Sequence, residues 1–414
     1  MTVQVVVMNS RGVAMASDSA ITIARKKVNN TDNKMVNFSG DHSIGAMTYG
    51  NADLFNFSWD DLLKLYGKRL KQPFAHTKDY VVGFLTYLKD NDFAEFMDNK
   101  NEHQYITSVI TYRLKELNFQ LKDLYDCLEN DNKELTVRTE IDEIYYCNAI
   151  HLISDDLERL KKKEYPKGFC HDDYEWLENH YGEFVWQIVE KNVEEHLYNQ
   201  QWKGVINKRI LLSVLKDFSD RYTGLVISGY GEKDLYPKTY ITIVDGKLNR
   251  KIKYFMRERA IDQKNKGMII PFAQRDMING FLNGIHEEVE MYIEFVMKRE
   301  LKGIQERMEE ILEHLNLPKD SLKDAQHEIF EGLSSVQDKF SEAIMTFKNQ
   351  QFSQPFEDMV GALPVSELAY LSESLLNLTA LQQKMTLSME TAGGPVDVAV
   401  ISKGDGFRWE KKKS

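Results

Sequence analysis

The first fifty residues constrain the fold most, because they contain four short apolar runs separated by turn-like residues. Thr2 to Met8 is rich in Val, Asn9 to Gly12 is turn-like, and Val13 to Ala16 is apolar and mostly small. Further along, Lys34 to Phe38 and Ser43 to Thr48 flank a second turn that contains glycine. Runs of this length between turn residues are typical of β-hairpins. The pattern therefore predicts a β meander.

Three side chains of this meander are candidates for chemistry: Thr2, Asp18 and Lys34. Asp18 follows the second run, so the first hairpin brings it back towards Thr2. If Met1 is removed, Thr2 carries a free α-amine beside its hydroxyl, and an amine with an unperturbed pKa of about 8 can accept the hydroxyl proton. A charged Lys34 nearby would keep that amine neutral, and Asp18 would keep Lys34 charged and oriented.

Each of these residues also has an ordinary structural interpretation. Thr2 could be only the first residue of an edge strand, and Lys34 could be a solvated surface charge like its neighbours Lys26 and Lys27. Asp18 could cap a turn through its own side chain. Taken alone, the three residues leave both interpretations open.

Small residues end the second predicted hairpin, between Ala46 and Gly50. Where side chains are small, backbone N–H groups can approach a substrate closely, as an oxyanion hole requires. The backbone N–H groups of Thr48, Tyr49 and Gly50 are therefore the predicted oxyanion donors.

This stretch resembles the N-terminus of the proteasome β-subunit family of N-terminal nucleophile hydrolases. Its spacing is closest to that of the peptidase subunit of the bacterial two-component ATP-dependent protease. The family's threonine, aspartate and lysine match Thr2, Asp18 and Lys34 once Met1 is discounted, and the run from Gly50 to Phe55 resembles the Gly-Thr-Ala-Asp run that opens the family's first helix. The segment from Gly393 to Gly406 resembles the Gly-Gly-x-Ile-Asp-Val-Ala-Val-Ile hairpin near the end of these subunits.

The resemblance implies an α+β fold, a four-layer αββα sandwich of two antiparallel sheets. It also implies a threonine-type peptidase that uses no cofactor or metal ion and cleaves peptide or other amide bonds. The implied partners are a peptide or protein substrate and further copies in a homo-oligomer, and an ATP-dependent unfoldase is left open. An alternative is a catalytically inactive scaffold whose helical insertions bind a protein partner.

The chain departs from the family pattern at two places that normally support the nucleophile. Near residue 274 the family has a Gly-Ser-Gly segment, and Gln274 is the predicted polar replacement for its serine. Before the late Gly-Gly, the family places an Arg-Asp pair and a serine, where this chain has Met389 and Ala392. Either Glu390 or Thr391 supplies the polar group after a small shift, or the amine is less well tuned, or activity is lost.

Two long segments exceed the length of the resembled fold. The sandwich is predicted from residues 1–100, 223–282 and 350–414, with helical insertions at 101–222 and 283–349. Aromatic residues in the first insertion could form a binding surface, but at helical spacing they more often form a core. The apolar stripe of a long helix predicted from Asp276 to Leu315 could pack on the first insertion or on another subunit.

Within the sandwich segments, further elements follow from local patterns. Asn51 to Leu70 has helical spacing, and strands are predicted at Gly224 to Gly231 and Thr239 to Val244. Asp245-Gly246 is a strong hairpin-turn signal that leads into a strand ending near Tyr254.

Composition narrows the class of function. A net charge of −11 argues against a nucleic-acid-binding surface, which needs a basic footprint. The three cysteines lack CxxC spacing and are odd in number, which favours a reduced, cytoplasmic setting. No signal peptide or membrane-spanning run is recognisable, so no membrane partner is expected.

Overall fold

The computed structural model describes residues 3–19, 21–23, 26–29, 34–38, 40–54, 57–90, 99–131, 138–315, 318–385 and 394–412. The strands in these ranges are β1 Val3–Asn9, β2 Gly12–Asp18, β3 Ile21–Ile23, β4 Lys26–Asn29, β5 Met35–Asn37, β6 Ile44–Gly50, β7 Asp53–Leu54, β8 Phe57–Ser58, β9 Thr223–Gly229, β10 Lys238–Leu248, β11 Lys251–Ala260, β12 Gly267–Ala273, β13 Val396–Ser402 and β14 Gly406–Lys411. The α-helices are α1 Trp59–Arg69, α2 Thr77–Asp90, α3 Asn99–Asp131, α4 Arg138–Lys162, α5 His171–Asn192, α6 Lys203–Lys216, α7 Asp276–Asn283, α8 Glu287–His314, α9 Lys319–Lys348, α10 Gln354–Ala362 and α11 Val365–Met385.

The larger strands form two five-stranded antiparallel sheets. Sheet 1 has the order β12-β1-β2-β13-β14, and sheet 2 has the order β11-β10-β9-β6-β5. β1 lies between β2, to which a two-residue turn connects it, and β12, which comes more than 250 residues later. The chain is thus a mixed α+β protein in which the N-terminal hairpin lies inside a sheet.

The two sheets pack against each other and carry helices on their outer faces. Val6 and Met8 of β1 contact Met47 and Val226 of sheet 2 in one buried cluster. Because strand side chains alternate, Val5 and Val7 point the other way, into a cluster with α7, α10 and α11. The outer face of sheet 2 packs on α1 and α2. Both faces of β1 carry apolar side chains, and both faces are therefore buried.

The first insertion is a helical body with its own core, built from α3 to α6. Its aromatic residues lie in or against one buried cluster, so the core interpretation of these residues is confirmed. These residues are Tyr145, Tyr146, Trp176, Tyr181, Phe184, Trp186, Tyr198 and Trp202. The body is joined to sheet 2 by the buried Lys253 ammonium, which donates to the Asp245 carboxylate at 2.9 Å and to the Val214 carbonyl at 2.8 Å.

The second insertion is a hairpin of two long helices, α8 and α9. At 1.5 Å per residue, the 28 residues of α8 span about 42 Å. In the described parts of the two helices no residue is classed as buried, and several large apolar side chains are more than half exposed, among them Tyr292, Phe295 and Phe330. The hairpin therefore exposes several large apolar side chains to solvent.

Three local predictions are wrong. The hairpin turn lies at Asn249 and Arg250, which have φ of 49° and 60°, and not at Asp245-Gly246, where β10 continues through a bulge. The strand continues because the Asp245 carboxylate is buried and accepts hydrogen bonds from Ser219 as well as Lys253. Asn is among the few residues other than glycine that enter the left-handed region readily.

The other two errors concern helix bounds. The helix predicted from Asn51 begins only at Trp59, because the Asn51 N–H donates to the Tyr222 carbonyl at 3.1 Å and residues 53–58 include a small hairpin. The helix predicted from Asp276 to Leu315 is broken at Gly284, whose φ of 71° ends α7 in a left-handed cap. In the described part of the chain, no helix is long and apolar enough to cross a membrane.

Candidate active site

The structure brings Asp18 and Lys34 together at one end of the sandwich. Lys34 Nζ lies 3.0 Å from Asp18 Oδ1, and the two side chains are only 8% and 4% exposed. The pairing of Gln4 with Ser17 places Asp18, the last residue of β2, beside Val3. Lys34 immediately precedes β5 in sheet 2. The ion pair therefore links the ends of strands from two different sheets.

The same carboxylate oxygen also binds the start of β1. The Val3 backbone N–H donates to Asp18 Oδ1 at 3.1 Å. Asp18 is thus hydrogen-bonded both to the lysine and to the residue that follows the predicted nucleophile. A carboxylate in this position fixes where the N-terminal end of β1 lies relative to the ammonium.

Gln4 connects the strands that carry the Asp18–Lys34 pair to the predicted oxyanion segment through hydrogen bonds. Its side-chain amide is fully buried, and Nε2 donates to the Thr48 carbonyl at 2.8 Å and to Ser17 Oγ at 3.0 Å. Gln4 Oε1 has no hydrogen-bond partner among the described residues. Sequence reasoning did not single out Gln4, although one amide in a Val-rich strand is a usable signal, because a buried amide normally needs partners.

The predicted oxyanion segment lies on β6, directly beside the lysine. The Thr48 N–H donates to the Lys34 carbonyl at 3.1 Å, so it could serve an oxyanion only as a shared donor. Gly50 has φ of 88°, and a Cβ there would lie 2.5 Å from the Tyr222 carbonyl oxygen. Glycine at position 50 therefore satisfies both a backbone and a packing requirement.

Tyr49 covers the neighbouring strand of sheet 2. Its ring lies so close to Gly224 that a Cβ on that glycine would be 2.0 Å from the ring. It also contacts the Phe272 ring, with centroids 5.5 Å apart. Burial raises the pKa of Tyr49 to about 12, so its hydroxyl is neutral at ordinary pH.

Gln274 lies at the same end of sheet 1 as the ion pair. It follows Ala273, which pairs with Val3 across β12 and β1 and has φ of 61°. The Gln274 carboxamide oxygen accepts a hydrogen bond from Gln383 Nε2 on α11. A left-handed alanine at a strand end is strained, and such strain is often found at functional sites.

Three of the predicted site residues, Thr2, Glu390 and Thr391, lie outside the described residues. So do Met389 and Ala392, which stand where the resembled family has polar groups. Of the predicted site, the structure therefore describes the positions of Lys34, Asp18, the oxyanion segment and Gln274. Among the residues that the structure describes, no group of three or more His, Cys, Asp or Glu side chains could hold a metal ion.

This arrangement can hold a charged ammonium in a buried position next to the start of a strand. A cation there disfavours protonation of a neighbouring amine and stabilises a developing negative charge.

No known protein-family model matches the chain, and no curated protein is similar enough to count as a relative.

Proposed function

We propose that the protein is an N-terminal threonine hydrolase that cleaves peptide or other amide bonds. The proposed fold is the αββα sandwich of the N-terminal nucleophile hydrolases, extended by two helical insertions. The observation that carries the proposal is the buried Lys34–Asp18 pair, whose carboxylate also accepts the Val3 N–H. Burying an ion pair costs free energy, so a lysine without a function would more often lie at the surface.

In the proposed reaction, Thr2 Oγ attacks the carbonyl carbon of the scissile amide. The Thr2 α-amine accepts the hydroxyl proton and then gives it to the leaving amine, which produces an ester with the enzyme. Water, activated by the same amine, hydrolyses that ester and regenerates the hydroxyl. Lys34 keeps the amine neutral between these steps, and Asp18 keeps Lys34 charged.

Backbone N–H groups between Thr48 and Gly50 are proposed to stabilise the oxyanion. Gln4 supports this segment, because its amide holds the Thr48 carbonyl. The proposal requires the Thr2 side chain to lie on the same side of β1 as Gln4, between the two sheets. Gln274 is proposed as polar support at the neighbouring strand end.

A second candidate function is a scaffold without catalysis, in which the insertions bind a protein partner. The exposed apolar side chains of α8 and α9 favour this alternative. They are also compatible with an enzyme that assembles as a homo-oligomer, which is the assembly we propose. An ATP-dependent unfoldase as partner and a cytoplasmic location remain parts of the same proposal.

Comparison of Thr2→Ser and Thr2→Ala distinguishes the two functions. A screen with a fluorogenic peptide library first identifies a peptide that the wild type cleaves. We expect Thr2→Ser to retain partial turnover of that peptide, because serine keeps a hydroxyl, and Thr2→Ala to have none. Equal turnover by the wild type and Thr2→Ala would refute the assignment of Thr2 as the nucleophile. Absence of cleavage by any form, with a folded protein, would favour the scaffold.

A further inference from the structure

A cavity of about 760 Å³ opens between the two sheets, next to the candidate active site. Its walls come from β12 of sheet 1 and from β10 and β11 of sheet 2. This volume lies within the range of pockets that bind small molecules or a few residues of a peptide. No sequence motif points to this cavity, since its walls come from distant parts of the chain.

The cavity reaches the proposed catalytic centre along two strands. Ala273 lines it, and Ala273 pairs with Val3 at the start of β1. Tyr49 also lines it and directly follows Thr48, whose N–H bonds to Lys34. A chain bound in the cavity would therefore continue towards the end of β1 where Asp18 and Lys34 meet.

The floor of the cavity is apolar. Strand alternation turns Ile241 and Ile243 of β10 towards it, while Met268, Ile270 and Phe272 contribute from β12. Surfaces of this kind bind aliphatic or aromatic groups by removing them from water. The floor alone would accept any apolar side chain.

Three arginines line the cavity, of which Arg257 and Arg275 are exposed to solvent and Arg259 is half-buried. Arg257 and Arg259 are two residues apart on β11 and line the cavity together, and Arg275 lines it from the start of α7. Among the described residues, none of these guanidinium groups has a carboxylate within 4.0 Å. Burial and the neighbouring Arg257 lower the pKa of Arg259, while Glu357 raises it.

A single carboxylate, Glu357, belongs to the described lining residues. Burial and the nearby Asp358 raise the pKa of Glu357, while Arg259 lowers it. The cavity therefore combines an apolar floor with three arginines and one glutamate. In a chain of net charge −11, these side chains form a local concentration of positive charge, with three cations against one carboxylate.

We infer that this cavity binds a peptide carboxylate that neighbours an apolar side chain, and so selects acidic peptides for the proposed hydrolase. Guanidinium groups bind carboxylates through paired hydrogen bonds, and the floor accommodates the apolar group. The carboxylate could belong to an aspartate or glutamate side chain or to the C-terminus of the peptide. The inference rests on the proposed function for the fate of the peptide, but binding can be measured without cleavage.

Binding is tested with Thr2→Ala, which cannot use Thr2 Oγ as a nucleophile, and three N-acetylated hexapeptides of alanine and leucine. The first ends in leucine with a free carboxylate, the second is its C-terminal amide, and the third is the amide with glutamate beside leucine. Isothermal titration calorimetry gives the dissociation constants. We expect the first or third peptide to bind at least tenfold more tightly than the second, and the stronger of these two identifies the source of the carboxylate.

The arginines are tested in the same background. Arg257→Gln combined with Arg259→Gln should reduce binding of the preferred peptide at least tenfold without changing that of the neutral amide. Arg408→Gln, an exposed arginine of β14 that does not line the cavity, is the matched control. Circular dichroism melting curves confirm that each variant is folded. Equal affinity for all three peptides, or unchanged affinity in the double variant, would overturn the inference.

The two proposals fail in different ways. If the acidic peptide binds but the wild type never cleaves it or any other peptide, the hydrolase proposal fails and the binding site stands. If the wild type cleaves neutral and acidic peptides with equal kcat/KM, and the arginine variant does the same, the inference fails and the hydrolase stands.

Discussion

The Lys34 ammonium and the Asp18 carboxylate, separated by 3.0 Å, are almost fully buried, although each belongs to the end of a strand. The sequence pattern indicates a strand-end charge with little packing, and the structure places that charge in the interior instead. Removing one partner of such a pair is strongly destabilising, because the other charge is then left buried and uncompensated.

Replacing Lys34 therefore has two separable effects. Lys34→Ala should abolish turnover and reduce the free energy of unfolding by about 3–5 kcal/mol, because it removes a cation from a buried carboxylate. The double variant Lys34→Met with Asp18→Asn removes both charges and keeps most of the volume. It should be inactive yet considerably more stable than Lys34→Ala. Peptide turnover and urea unfolding measure the two effects.

Lys64 provides the matched control for this experiment. It pairs with Asp60 on the exposed face of α1, and such surface pairs contribute about 0–1 kcal/mol. Lys64→Met should therefore be active and nearly as stable as the wild type. If Lys34→Ala behaved like Lys64→Met in both measurements, neither the catalytic role nor the structural role of Lys34 could be maintained.

The sequence predicts the hairpins from local patterns, whereas the pairing of Asp18 with Lys34, which lie at the ends of strands from different sheets, is implied by the family resemblance. Apolar runs and turn residues fix β1, β2, β5 and β6, and a hairpin necessarily returns residue 18 to the start of the chain. Other features depend on contacts between distant segments. The local sequence predicts a turn at Asp245-Gly246, and only the buried Lys253 next to Asp245 explains why the strand continues there. The arginines of β11 line a cavity only because β12 lies opposite them.

The local sequence nevertheless indicates part of the arrangement of the β11 arginines. The alternation of Phe255, Arg257 and Arg259 along one strand indicates that the three side chains share a face. Two arginines on a strand face can contribute to a cavity only where a second wall stands opposite them, and that wall, β12, is placed by its pairing with β1. The signal is thus visible in the sequence, but its interpretation needs the tertiary structure.

Asp234 should make stability depend on acid pH. Although burial alone raises the pKa of this carboxyl, hydrogen bonds from Thr77, His76 and Gly231 lower it to about 2. A carboxyl whose pKa is lower in the folded state stabilises the protein above the unfolded value near 4, and this contribution is lost as the pH falls towards 2. The difference in unfolding free energy between wild type and Asp234→Asn should thus be about 2 kcal/mol at pH 7 and shrink between pH 4 and 2. Urea unfolding at several pH values measures it, and a constant difference would contradict the prediction.

Ala273 holds a left-handed conformation at the edge of the candidate site, with φ of 61°. Ala273→Gly should raise the thermal midpoint or leave it unchanged, because glycine removes strain of about 1 kcal/mol at some cost in unfolded-state entropy. Ala273→Val should lower it, since a β-branched residue fits this region poorly. Gly168→Ala is the reverse control, because Gly168 has φ of 87° and no atom within 4 Å of an added Cβ. A midpoint that falls in Ala273→Gly would contradict the strain argument.

The α8–α9 hairpin should mediate self-association. Tyr292, Phe295 and Ile311 are each about 60% exposed, and burying them against a second copy would remove a large apolar area from water. We expect light scattering to show an oligomer for the wild type and a smaller species for Tyr292→Lys combined with Phe295→Lys and Ile311→Lys. Phe119→Lys, at an exposed apolar position on α3, should leave the mass unchanged. A wild type that is monomeric across micromolar concentrations would contradict the proposed assembly.

The state of the N-terminus should decide whether the protein is active. While any residue precedes Thr2, the Thr2 nitrogen is an amide whose lone pair is delocalised, and it cannot act as a base. We therefore expect the active form to have lost Met1, which intact-mass measurement detects directly. An electrophile that reacts with both a hydroxyl and an adjacent amine should label this form at Thr2 and leave the Met1-containing form unlabelled. Lys34→Met should be labelled more slowly, because the Thr2 amine is then more often protonated. Hydrolysis of amides by a preparation that retains Met1 completely would exclude Thr2 from the mechanism.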